Sequence, residues 1–132
     1  MPDTTIAPYL FFGGRCEEAL EFYRTALGAE VDMLMRFDQS PESAPAGMLQ
    51  AGFEKKVMHA AFRVRGVPLM ASDGCGGPSK FDGFRLALTV PAEVDAKRSF
   101  DALADGGTVQ MPLAKTFWSP CYGMVTDRFG LG

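Results

Sequence analysis

One histidine, one tryptophan and three cysteines are present in 132 residues, and each shortage removes a class of protein. A single imidazole cannot supply the three protein ligands that an open catalytic metal site of the zinc type uses. Cys16, Cys75 and Cys121 are odd in number, far apart and outside any CxxC spacing, which argues against a disulfide framework or a zinc knuckle and leaves reduced, partly buried thiols. Positive charge is short as well. A formal net charge of −3 with scattered Lys and Arg gives no field for a phosphate backbone, so no nucleic-acid partner is expected. No apolar run reaches membrane-spanning length, and the opening MPDTTIAPYLFF lacks the basic and apolar regions of a signal peptide. A soluble, cytoplasmic protein with no membrane partner is the expectation.

What is present is a globular balance, 47% hydrophobic and 22% charged, in a length suited to one domain. A β-prone stretch ends at Gly13-Gly14, and Cys16, Ala19, Leu20, Tyr23 and Leu27 then recur at helical spacing up to a terminating Gly28. Val31, Met33, Met35 and Phe37 alternate as in a half-buried strand. Residues 38–54, rich in Pro, Ser and Gly, predict the longest loop and the most mobile one. Two further strands, Val57–Val64 and Val67–Ser72, flank the tight-turn signal Arg65-Gly66. The first half therefore reads β-α-β-β-β. In the second half, Phe84, Leu86, Leu88 and Val90 alternate as a strand. A helix follows from about Ala92 with apolar positions Val94, Phe100, Leu103 and Ala104, then two more strands over 108–113 and 122–127.

Sliding one half over the other pairs Leu10 with Leu88, Phe12 with Val90, Phe22 with Phe100, Gly28 with Gly106 and Met33 with Met111, all 78 residues apart. Strand phase, helix stripe and terminating glycine depend on different periods, so their joint match predicts a duplicated module rather than chance. Module one is expected over 5–73 and module two over 82–132. On this register Gly132 falls where the fourth strand of the second module should begin. The expectation is that the natural polypeptide continues with a short apolar strand, or that a second subunit covers the edge in a homodimer.

The blocks PYLFFGGRCEEALEFYRTALGAEV, VMHAAFRVRGVPLMASDG and FDALADGGTVQMPLAKTFWSPCYGMVTDRFG resemble the PhnB-like family, also labelled 3-demethylubiquinone 3-methyltransferase-like. That family belongs to the vicinal-oxygen-chelate superfamily of glyoxalases, bleomycin-resistance proteins and extradiol dioxygenases. The resemblance spans nearly the whole chain. It implies an α+β fold of two tandem βαβββ modules forming a curved mixed sheet around a cleft, commonly in a homodimer.

The methyltransferase label finds no support in the residues. Gly74-Cys75-Gly76-Gly77-Pro78 leads into SKFDGFRL with no helix, and Gly13-Gly14 lacks a spaced third glycine, so S-adenosylmethionine is not expected and no cofactor is predicted. In metal-using relatives, His, Gln and Glu on the first and last strands of each module supply the ligands. The matching positions here offer Tyr9, Phe11, Ala87 and Thr89, which leaves His59 as the one metal-ligand candidate, with Asp73 as weak help. His59 lies opposite the apolar stripe Met58, Ala60, Phe62 and Val64, which places it on the cleft face as a ligand-binding group. Tyr9, Phe117 and Trp118 complete the expected ligand-binding set. The eight methionines are expected mainly as core filler, with an apolar cleft as the functional reading.

These observations predict a small-molecule binding protein that holds an apolar or aromatic ligand in a cleft. An enzyme of the same superfamily, a lyase, isomerase or dioxygenase-like protein using His59 or Asp73 as acid or base, is the alternative. An interaction module without a small ligand is the third.

Overall fold

The computed structural model describes residues 4–40, 49–76 and 79–132. The chain divides into two compact units, Met1–Ser79 and Lys80–Gly132. Part of the loop expected over 38–54 lies outside the described residues.

In the first unit, β1 (Tyr9–Phe11) leads through Gly13-Gly14 into α1 (Cys16–Leu27), followed by β2 (Glu30–Arg36), β3 (Val57–Val64) and β4 (Val67–Ser72). The four strands form one sheet in the order β1-β4-β3-β2, with β1 parallel to β4 and the remaining pairs antiparallel. This is a βαβββ unit. The parallel pair needs a crossover, and α1 supplies it on one face of the sheet. The helix buries Cys16, Ala19, Leu20 and Tyr23, the i, i+3, i+4, i+7 stripe read from the sequence. Leu10 and Phe12, Ala60 and Phe62, and Leu69 and Ala71 are buried from β1 and its end, from β3 and from β4. Tyr23 joins the layers, with its ring 6.2 Å from Phe12 and stacked parallel on Phe62 at 6.5 Å. Gly28 stops the helix at φ 72°, a left-handed conformation that strains any residue with a Cβ. Arg65 and Gly66 both take positive φ between the paired residues Val64 and Val67, the two-residue turn whose twist suits a hairpin.

Helix α1 has no capping side chain of its own. Its cap comes from the far end of the unit. One carboxylate oxygen of Asp73 accepts the N–H groups of Gly14 (2.7 Å) and Cys16 (2.8 Å), and the other accepts the N–H of Val57 (2.9 Å). A buried negative charge at a helix N-terminus is favoured by the helix dipole, and here it also ties the β1–α1 turn and the start of β3 to the end of β4.

In the second unit, α2 (Glu93–Ala104) precedes an antiparallel pair, β5 (Thr108–Ala114) and β6 (Tyr122–Thr126). The strand expected over 84–90 is not formed. A strand needs a ladder partner, and here Leu86 donates its backbone N–H to the Gly132 carbonyl (3.0 Å) outside any ladder. Phe84, Leu86 and Leu88 are consequently exposed. Val94 is also exposed, because six residues separate it from the inward Phe100, about 120° around the helix axis. Among the described residues no helix is long and apolar enough to cross a membrane.

Candidate functional site

Alternation along the four strands of the first unit gives the sheet a second face, opposite α1. The register sets Tyr9, Met70, Ala61 and Met33 in one row across β1, β4, β3 and β2. The next row holds Phe11 beside Ser72 and His59 beside Met35, and continuing the β3–β4 register places Ser72 across from His59. Side chains in such rows stand about 5 Å apart and form a continuous surface. Tyr9, Phe11 and Met33 are 41–45% exposed, so this surface is open. Six methionines, Met33, Met35, Met58, Met70, Met111 and Met124, lie in strands, and none of them is a core residue. The sequence expectation of core filling is corrected accordingly: in the first unit the buried positions are taken by Leu10, Val57, Ala60, Phe62, Leu69 and Ala71 of the strands and by Ala19, Leu20 and Tyr23 of α1, not by methionines.

At the centre of the open face the Tyr9 hydroxyl and His59 Nδ1 are 3.0 Å apart, and the two rings meet edge to face at 5.5 Å. Phe11 stacks on Tyr9 at 4.7 Å. Burial pushes the Tyr9 phenol above its ordinary pKa, against the opposing effect of a hydrogen bond with Ser72, so the phenol keeps its proton at neutral pH. The nearest full charge in the same strand, Arg63, is bound by both carboxylate oxygens of Asp32 and by Glu30 at 2.9 Å, and is thereby neutralised at the rim.

The residues singled out in the sequence thus fall into three places. Tyr9 and His59 are brought together on the open face. Asp73 is a buried structural cap whose two oxygens both hold backbone N–H groups. Phe117 and Trp118 lie in the β5–β6 loop of the second unit, where they stack edge to face at 4.6 Å and Trp118 meets Tyr122 at 5.4 Å, with Phe117 almost wholly exposed. Ser72 was not singled out for the site, and its signal lay in the period of two in VPLMAS, which puts Met70 and Ser72 on one face.

A cavity of about 230 Å³ lies at the start of α1, between Gly14, Glu17, Arg36, Lys55, Lys56 and Asp73. Its charges serve one another. Arg36 holds both oxygens of Glu17, whose carboxyl is held below its ordinary range by that bond, and Lys56 reaches the Gly14 carbonyl. Burial and the adjacent Asp73 push the Cys16 thiol up to about 12, so it stays protonated and inert.

The donor sets do not fit the groups that relatives of this fold carry. Around His59 stand a phenol, a serine and a thioether, with no carboxylate, and among the described residues no three His, Cys, Asp or Glu side chains gather to hold a metal. An adenosyl cofactor has no cradle either: the N-terminus of α1 is filled by Asp73, and among the described residues no helix follows β4 before Glu93.

The fold is α+β and of the PhnB and glyoxalase-like class. The family described as 3-demethylubiquinone-9 3-methyltransferase matches residues 4–132, and the chain belongs to that family. It is 36% identical over 134 residues to Protein YjdN of Escherichia coli, covering 96% of this chain and 90% of that protein. The crystal structure of PA1353 from Pseudomonas aeruginosa superposes with a TM-score of 0.84 at 40% identity, over 98% of this chain and 93% of the other. A PhnB protein from Bacillus cereus gives 0.74 at 26% identity, over 97% and 95%.

Proposed function

We propose that the protein binds a flat apolar or aromatic small molecule on the open face of the first unit's sheet. The observation that carries this reading is the continuous surface of Tyr9, Phe11, Met33, Met35 and Met70 around one polar pair, Tyr9 and His59. Methionine adapts to varied shapes and stacked aromatics favour planar ligands, while one polar pair fixes orientation. The enzyme reading would draw on the same pair as acid and base; the hydroxyl nearest to it, that of Ser72, is buried and already accepts the N–H of Gly74, which favours binding over nucleophilic chemistry. Titration with 2-isopropenylnaphthalene tests the binding reading. Dissociation in the micromolar range, weakened at least fivefold by Phe11→Ala, is expected, and the absence of saturable binding would refute it.

The two units are further proposed to be copies of one module. β2 at Glu30–Arg36 and β5 at Thr108–Ala114 are both seven residues long and start 78 residues apart, and Gly28 and Gly106 both take positive φ after their helices. The exposed Phe84, Leu86 and Leu88, neighbours along one extended segment, support assembly into a homodimer, since adjoining exposed apolar side chains mark interaction surfaces. Analytical ultracentrifugation should then give twice the 14.3 kDa chain mass, whereas a monomer at micromolar concentration would count against the pairing.

A further inference from the structure

Resting on the homodimer reading above, we infer that residues 84–90 of two copies pair with each other as antiparallel strands, about a two-fold axis at Ala87. Within one chain this segment has no ladder. Residues 84–89 are all exposed, and among the described residues the bond from Leu86 N–H to the Gly132 carbonyl is the sole backbone hydrogen bond that reaches residues 84–90. Successive residues of an extended segment point their N–H and C=O groups to opposite edges. Phe84, Leu86, Leu88 and Val90 therefore face the Gly132 edge. The Arg85 guanidinium is drawn to the same side, donating to the Val125 carbonyl at 3.3 Å and the Thr126 hydroxyl at 3.5 Å, and it lines one cavity with Thr126, Gly130 and Gly132. The opposite edge presents the backbone groups of Arg85, Ala87 and Thr89 to solvent. Proteins commonly blunt such an edge with Lys or Pro, and the stretch FRLALTV contains neither.

The occupant is a second copy because the segment complements itself, and the open edge fixes the register. A two-fold ladder on this edge must be centred on Arg85, Ala87 or Thr89, whose polar groups point outward. Centring on Arg85 sets two arginines directly opposite each other, a like-charge pair that opposes association. Centring on Thr89 sets Pro91 opposite Ala87, where proline has no N–H to donate, and runs the ladder on toward the start of α2 at Glu93. Centring on Ala87 overlaps the whole segment. Ala87 then exchanges both bonds with its own copy, and Arg85 does so with Thr89 on either side of the axis. On one face Leu86 meets Leu88 and Phe84 meets Val90, while on the other Arg85 stands across from the neutral Thr89. Aromatic and branched apolar pairs of this kind stabilise antiparallel strands. A contact that uses the same patch on both partners also closes at two copies.

The test is a disulfide map on the full chain with Cys75→Ser and Cys121→Ser, which leaves the buried Cys16 as the remaining native thiol. Ala87→Cys in this background should crosslink to its own copy under mild oxidation, read on a non-reducing gel, because opposed residues of a hydrogen-bonded pair stand about 5.5 Å apart at Cα, within disulfide reach. Thr89→Cys alone should stay uncrosslinked, since the two copies of that residue would lie about 14 Å apart, but should crosslink when mixed with Arg85→Cys. Ala87→Pro removes the central pair of bonds and should weaken the dimer at least tenfold in sedimentation, with the circular dichroism of the wild type. The cysteine pattern needs no loss of stability and decides the matter even where proline disturbs the fold. A dimer in which Ala87→Cys fails to crosslink, or in which Thr89→Cys crosslinks to itself as readily, would overturn the inference while leaving the homodimer reading in place. A wild-type chain that sediments as a monomer would overturn the two together.

Discussion

Replacing Asp73 by alanine should lower the unfolding free energy by about 4 kcal/mol, seen as a fall in Tm of roughly 10–20 °C. The carboxylate is 3% exposed and accepts from three backbone N–H groups, those of Gly14, Cys16 and Val57. Removing it strands these donors where water has little access, and each stranded donor costs about 1–3 kcal/mol. It also takes a negative charge from the start of α1, worth up to about 1 kcal/mol more. The sum is reduced by local relaxation that readmits water. Asp73→Asn keeps the shape and one acceptor oxygen but turns an amide N–H₂ toward a backbone donor, so a loss near half as large, about 2 kcal/mol, is expected. Urea unfolding at neutral pH measures both. An alanine variant within 1 kcal/mol of wild type would show that the three bonds are not what holds the turn. An asparagine variant that keeps its stability yet loses ligand binding would return Asp73 to the active role considered from the sequence.

The contrast between Asp73 and His59 shows what a sequence discloses. Both stood out as the acid or base candidates of the first module, and the periodicity of one was legible: His59 lies opposite the Ala60 and Phe62 stripe, and the structure puts it on the other face of the sheet from α1. The helix face of α1, the Arg65-Gly66 turn and the βαβββ order of the first unit were legible for the same reason, because each depends on spacing within a short stretch. The role of Asp73 was not, since its partners are 57 and 59 residues away toward the N-terminus and 16 residues away at Val57. The placement of the methionines depended in turn on which face of each strand α1 covers, a tertiary fact that alternation alone leaves open. The segment over 84–90 shows the converse: its alternation is as regular as that of any strand in the chain, but pattern without a neighbour yields no ladder.

Adjacent residues of β3 should respond in opposite ways to substitution. Phe62 is 2% exposed and stacked on Tyr23 at 6.5 Å, within the layer that joins α1 to the sheet. Phe62→Ala leaves a cavity that the rigid strand pair cannot close, and should cost about 3–5 kcal/mol. Ala61, next in sequence, points to the other face between Met33 and Met70. Ala61→Phe adds a ring to an open, half-buried surface in a strand, where aromatic residues are well tolerated, so its stability should stay within about 1 kcal/mol of wild type. The same ring would occupy the row that Tyr9, Met70 and Met33 form, and should weaken naphthalene binding at least tenfold. Phe62→Ala, studied under conditions where it remains folded, should bind within threefold of wild type. Thermal melts and probe titrations on the two variants separate the faces. If Ala61→Phe unfolds the protein as severely as Phe62→Ala does, the second face is packed rather than open, and a ligand cannot be what fills it.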